Sequence, residues 1–129
     1  MKLDVPGNSG IQLRSHEREK DGRVFGYQCE IDPSPRAWSG GIYDESRRGW
    51  LKNLKDNEAG RKAFKLKDWN QFVIKAEGPS IKTWINGVPC ADLSDKADAD
   101  GFIALQVHSG KKGQIRWRNV RIKELGKSK

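Results

Sequence analysis

Four stretches of this chain alternate apolar and polar residues with a period of two. That alternation constrains the fold more than any other feature, because only an extended strand turns every second side chain to the same face. The clearest case is residues 101–110, GFIALQVHSG, read as a central β-strand: Ile103, Leu105 and Val107 face one way, and Phe102, Ala104, Gln106 and His108 the other. Residues 11–16 set Ile11 and Leu13 against Gln12, Arg14 and His16. Residues 25–32 set Phe25, Tyr27, Cys29 and Ile31 against Gln28, Glu30 and Asp32, and residues 81–86 set Ile81, Thr83 and Ile85 against Lys82, Trp84 and Asn86. If these strands share one sheet over a common core, the other face gathers Gln12, Arg14, Gln28, Glu30, Trp84, Asn86, Gln106 and His108. Amides, a carboxylate, a guanidinium and an imidazole beside an aromatic ring are the groups that hold a sugar. A merely solvated face of an antiparallel sheet produces the same pattern, so the two readings stand together at this point.

Along the chain, residues 4–10 (DVPGNSG) are a turn-rich entry, and Asp21-Gly22 predicts a hairpin between residues 11–16 and 23–32. Residues 38–44 (WSGGIYD) return in extended form. Residues 44–51 (DESRRGWL) read as a charged loop anchored by Trp50 and Leu51, in which Arg47 is a candidate binding residue. Residues 57–64 are the only candidate helix, short and interrupted by Gly60. Strands are expected over 69–77, 80–86, 101–108 and 114–123, joined by Glu77-Gly78-Pro79, Asn86-Gly87, residues 92–100 and residues 111–113. In the last strand Ile115 and Trp117 share one face and Val120 and Ile122 the other, so the phase slips near Arg118-Asn119. Short strands with turns between them predict an all-β sandwich or barrel.

With 129 residues and 35% apolar content, one domain spanning residues 1–129 is expected. The net charge of +8 raises anionic polymers as partners, and five tryptophans could stack bases. Basic and acidic residues are interspersed, however, and no nucleic-acid fold fingerprint is present. No nucleic-acid partner is therefore expected, and the densest cluster, Lys111, Lys112, Arg116 and Arg118, is read as solvation or attraction to acidic glycans. No apolar run has the length of a membrane-spanning helix, so no membrane partner is expected, and the N-terminal MKLDVPGNSG lacks the apolar segment of a signal peptide. Cys29 and Cys90 read as free thiols, and His16 and His108 have no metal-type spacing. No metal site is expected, and the sequence names no cofactor.

The segments GNSGIQLRS (7–15), GYQCEID (26–32), WSGGIYDESRRGWL (38–51), DWN (68–70), IKTWINGVP (81–89), GFIALQVHSG (101–110) and RWRNVRI (116–122) together resemble the 3-keto-disaccharide hydrolase domain family. The resemblance runs in order over almost the whole length. It implies a concanavalin A-like jelly-roll sandwich of antiparallel sheets, a concave carbohydrate-binding sheet, cleavage of glycosides oxidised at C3, and a periplasmic or secreted setting. Such domains carry several dozen residues before the GNSGI motif, where this chain has MKLDVP. The expectation is a sandwich incomplete at its N-terminus, resembling the C-terminal part of the family domain, whose open edges pair in a homo-oligomer.

The resemblance also fixes a chemistry to look for. A 3-keto group acidifies the proton at C2, so a base near neutral pKa and a stabiliser for the enolate suffice to expel the C1 substituent, after which water adds. His108 is the first candidate base. Arg14 and Gln106 are placed to polarise the keto oxygen, and Glu30 is an alternative base or a cation ligand. Gln12, Gln28, Tyr43, Arg47, Trp84, Asn86 and Gln106 are the candidate substrate contacts, with Tyr43 and Trp84 as stacking platforms, although Asn86-Gly87 is also a plain hairpin turn. A non-catalytic carbohydrate-binding module on the same fold is the alternative.

Overall fold

The hairpin expected around Asp21-Gly22 forms. Strands β2 (Ser9–Glu17) and β3 (Val24–Ile31) pair antiparallel, with Ile11 opposite Cys29, Gln12 opposite Gln28 and Leu13 opposite Tyr27. The computed structural model describes residues 1–108 and 113–125. Around this hairpin a five-stranded sheet assembles in the order β5-β4-β3-β2-β9, from β4 (Ile42–Glu45), β5 (Gly49–Lys52) and β9 (Phe102–Leu105). A three-stranded sheet, β6 (Phe72–Glu77), β7 (Ser80–Ile85) and β8 (Val88–Ser94), packs against it, and β1 (Lys2–Val5) pairs with β10 (Gln114–Arg116). With 45% strand and 5% helix, this is the all-β antiparallel sandwich of the jelly-roll class.

The inward face of the hairpin makes the core. Leu13, Tyr27 and Ile42 meet Ile81, Ile85, Cys90 and Ala91 of the opposing sheet, while Ile31 closes a second cluster with Met1 and Leu3. Burying each such aliphatic side chain contributes about 1.5–3 kcal/mol. Cys29 and Cys90 are free and buried. The helix α1 (Glu58–Ala63) begins where expected because the Asn57 side chain accepts the Gly60 amide at 2.9 Å, and its Nδ2 donates to the Cys90 carbonyl at 2.8 Å.

Four expectations are corrected. The stretch 101–110 is not a central strand: β9 stops at Leu105 and, among the described residues, has β2 as its one neighbour. Its alternation holds, with Leu105 opposite Ile11 and Ala104 opposite Gln12, but the three-stranded layer does not reach it, so Ile103, Leu105 and Val107 are exposed. Periodicity fixes which side chains share a face and is silent on whether another layer covers it. Residues 81–86 belong to the opposing sheet. Residues 44–51 are a β4–β5 hairpin rather than a loop. Strands β1 and β8 were not anticipated; β8 contains Pro89 and is an edge strand, where proline is tolerated.

The strand expected over 114–123 ends at Arg116, so the slip near Arg118-Asn119 is not a bulge within a strand but a left-handed residue, Asn119 at φ 54°, beyond the end of β10. Ile115 and Trp117 pack on the Met1, Leu3 and Ile31 cluster, whereas Val120 and Ile122 are exposed. Arg116 pairs with Asp4 at 2.6 Å, and the Arg118 guanidinium lies 3.7 Å from the centre of a Trp69 ring. Lys111, Lys112 and the tail residues 126–129 lie outside the described residues.

One ionic network ties the layers together. Fully buried Asp44 accepts two bonds from Arg47 at 2.8 Å and one from Arg48; Arg47 continues to Asp98 at 2.5 Å and Arg48 to Asp95 at 2.9 Å. The Tyr27 hydroxyl donates to Asp95, and His16 lies 3.4 Å from Asp98. The turn of the β4–β5 hairpin is thereby fastened to the 95–98 connection, the segment that carries the chain from one sheet to the other.

Candidate functional site

On the face of the five-stranded sheet turned away from the core, the strand register lays out two rows. One runs Trp50, Tyr43, Gln28, Gln12, Ala104; the other runs Gly41, Glu30, Gly10, Gln106. In the second row the Glu30 amide donates to the Gly41 carbonyl and the Gln106 amide to the Gly10 carbonyl, each at 2.9 Å. Gly10 is the gap in the pattern. A Cβ there would lie 2.5 Å from the Gln28 side chain, so the missing side chain is what lets the Gln28 amide lie across the sheet. From that position Gln28 Nε2 donates to Glu30 Oε1 at 2.8 Å.

Although these residues face away from the core, they are buried among their own neighbours: Gln28 is 1% exposed, Gln12 3% and Glu30 6%. Burial pushes the Glu30 carboxyl up to about 7, with the hydrogen bonds from Gln28, Asn8 and the Ile31 amide offsetting only part of that effect. Gln12 Oε1, Gln28 Oε1 and Gln106 Oε1 are buried without a hydrogen-bond partner. Each buried acceptor left unpaired costs about 1–3 kcal/mol. All three belong to the same two rows as Glu30, and Gln28 is the one whose amide reaches its carboxyl.

Aromatic rings flank the rows on one side. Trp50 meets Tyr43 edge-on at 5.3 Å and Trp38 at 5.0 Å, and the Arg36 guanidinium lies 4.4 Å from the Trp38 ring centre. Asp32 organises this wall by accepting from Ser34, Arg36 and the Trp38 amide. Burial works against ionisation of Asp32, and those hydrogen bonds outweigh it, holding the carboxyl below its ordinary range.

His108 lies past the end of β9, exposed, and lines a cleft of about 50 Å³ with Asn8, Ser9 and Gln106. That volume holds a water molecule or a hydroxyl group rather than a sugar ring. Among the described residues no group of three or more His, Cys, Asp and Glu side chains is arranged to hold a metal ion, and no helix is long and apolar enough to cross a membrane.

Of the residues expected here, Gln12, Gln28, Glu30, Tyr43 and Gln106 come together, with His108 at the rim. Arg14 does not join them. It adopts φ 45° within a break in the β2 ladder, and its Nη1 donates to the Gly78 carbonyl at 2.6 Å and the Asp98 carbonyl at 3.3 Å, reaching toward the opposing sheet. The break brings Ser15 beside Gln12 instead, at 3.1 Å, a residue the alternation had assigned to the other face. Gly101 makes room for it: a Cβ there would lie 2.3 Å from the Arg14 backbone. Arg47 is engaged by Asp44 and Asp98. Trp84 lies on the outer face of the three-stranded sheet, across the core from Glu30. Asn86 serves its turn, donating to the Ala63 carbonyl at 2.9 Å and to Asn70 at 3.0 Å. Sequence reasoning missed Asn8, Ser15 and Trp50; the available signal was Gly10, a glycine inside an alternating strand, which marks close approach by a neighbour.

Gly10→Ala is expected to lower both stability, by about 1–3 kcal/mol, and sugar affinity, because the new methyl displaces Gln28 from Glu30. Thermal unfolding together with calorimetric titration of a 3-keto disaccharide measures both. Unchanged affinity would remove Gln28 from the site.

The family model for the 3-keto-alpha-glucoside-1,2-lyase-like domain matches residues 1–123. No curated protein matches the chain.

Proposed function

The chain belongs to the 3-keto-alpha-glucoside-1,2-lyase-like domain family, and from that premise we propose that it cleaves 3-keto glycosides at the face carrying Glu30. The supporting observation is the Glu30 carboxyl, buried and raised to about 7, beside three buried amide oxygens without partners. A base of that pKa is half ionised near neutrality, where proton transfer from an acidified carbon is most effective. Glu30 takes the C2 proton. The electron pair moves toward the C3 carbonyl as an enolate and then forms the C1=C2 bond as the C1–O bond breaks. The departing oxygen takes a proton, and water afterwards adds across C1=C2, with hydroxyl to C1 and hydrogen to C2.

Gln12, Gln28 and Gln106 accept bonds from sugar hydroxyls, and Tyr43 with Trp50 gives the ring an apolar wall. His108 at the small cleft is the group that supplies the proton to the leaving oxygen and holds the adding water. Because Arg14 is engaged elsewhere, the polarisation of the keto oxygen expected from Arg14 and Gln106 is left to the Gln106 amide.

The test is aglycone release from a 3-keto-glucoside and from its unoxidised parent. Release is expected from the first only, with His108→Ala lowering it about a hundredfold. Binding of both sugars with turnover of neither would instead establish a carbohydrate-binding module. Release from the unoxidised parent at an equal rate would exclude the elimination route.

A further inference from the structure

The uncovered apolar face of β9 has a counterpart in this same chain. Ile103 is 50% exposed, Leu105 40% and Val107 89%, all on the side that the opposing layer covers elsewhere. Beyond β10, Val120 is 64% and Ile122 71% exposed, two residues apart and alternating with Arg121 and Lys123. Both surfaces are apolar and both have the period of a strand. Among the described residues β9 also keeps one hydrogen-bonding edge open, since β2 alone pairs with it. An open edge beside an exposed apolar row is the condition under which another strand adds to a sheet.

We propose that the occupant is a second copy of this chain, whose segment 118–125 adds antiparallel to the β9 edge while β9 of the second copy receives the same segment in return. Charge supports both the partner and the direction. The connection into β9 ends in the exposed Asp100, and the segment 118–125 carries Arg118, Arg121 and Lys123 against one acid, Glu124. Running antiparallel, the segment sets Val120 and Ile122 over Leu105 and Ile103 and brings Lys123 to the acidic end near Asp100. The exchange is reciprocal, so it closes as a two-fold dimer rather than growing as a fibre. Gln106 and the cleft at His108 follow β9 directly, so the dimer would border the site described above; the dimer itself does not depend on what that site does.

The experiment is sedimentation and light scattering across micromolar concentrations on the wild-type chain and on two variants, Leu105→Glu and Val120→Glu/Ile122→Glu. All substituted positions are exposed, and far-UV circular dichroism confirms that the variants keep the strand content of the parent. The expected result is a wild-type dimer and two monomeric variants. The cysteine pair Ile103→Cys/Ile122→Cys is expected to give a covalent dimer on oxidation. A monomeric wild type overturns the proposal. So does a dimer that survives either variant: survival in Val120→Glu/Ile122→Glu would mean that β9 pairs with something other than this segment.

Discussion

Glu30→Gln is expected to abolish turnover of a 3-keto glycoside and, above neutral pH, to make the fold more stable. The loss of turnover is that of a general base, a hundredfold or more by the usual range of about 10²–10⁴. The gain in stability follows from the direction of the pKa. The folded carboxyl titrates at about 7 against an ordinary value of 4.5, so between these values the folded state holds a proton that the unfolded state has released. Wild-type stability therefore falls as pH rises through this window, by about 3 kcal/mol, and the deficit persists at higher pH. A glutamine keeps the bond accepted from Gln28 and carries no charge to desolvate, so the variant escapes the deficit. Urea unfolding at pH 8 and pH 5 measures the difference, which is expected to be large at the first and small at the second. The wild-type kcat/KM should rise with pH through about 7 and level off above it. Wild-type turnover in the variant, or an equal stability change at both pH values, would remove Glu30 from the role given to it.

The second large effect is structural. Asp44→Ala is expected to cost about 3 kcal/mol at pH 7, the lower end of the range for breaking a buried ion pair. The lower end applies because Arg47 and Arg48 are 27% and 38% exposed and each keeps a second carboxylate, Asp98 and Asp95. Burial opposes ionisation of Asp44, but the hydrogen bonds from Arg47 and Arg48 prevail and hold its carboxyl below its ordinary value, while the bond from Arg48 is the main cause that does the same for Asp95. The stabilisation is thus fully present above the ordinary carboxylate value of 3.8 and is lost as pH falls through the lower folded values. Chemical unfolding at pH 7 and at pH 3 should show the variant's deficit shrinking in acid. A deficit of the same size at both would mean that packing, and not the ion pairs, sets the cost.

The sequence made the two faces of the hairpin legible because Ile11, Leu13, Tyr27 and Cys29 alternate with Gln12, Gln28 and Glu30 without a break. It therefore placed Gln12, Gln28, Glu30 and Tyr43 together. It misplaced Trp84 because alternation is a property of one strand and carries no information about which sheet that strand joins. Arg14 was misread for a local reason: a single left-handed residue shifts every later side chain to the opposite face, and the glycine that permits it, Gly101, lies far off in sequence. Arg47 had the composition of a binding residue, but its carboxylate partners Asp44 and Asp98 are 3 and 51 positions away, and only folding brings the second within reach.

The break at Arg14 also divides β2 into two lengths that answer to different masters. Up to Leu13 the strand keeps step with the strands on either side and carries Gln12. Past Ser15 pairing resumes in a new frame, with His16 opposite Phe25 and Glu17 opposite Val24. The turn at residues 18–23 lies in that outer frame, beyond the break that separates it from Gln12 and Glu30. The far end of the hairpin is free to diversify, and with it whatever this protein meets there, while the chemistry stays where it is.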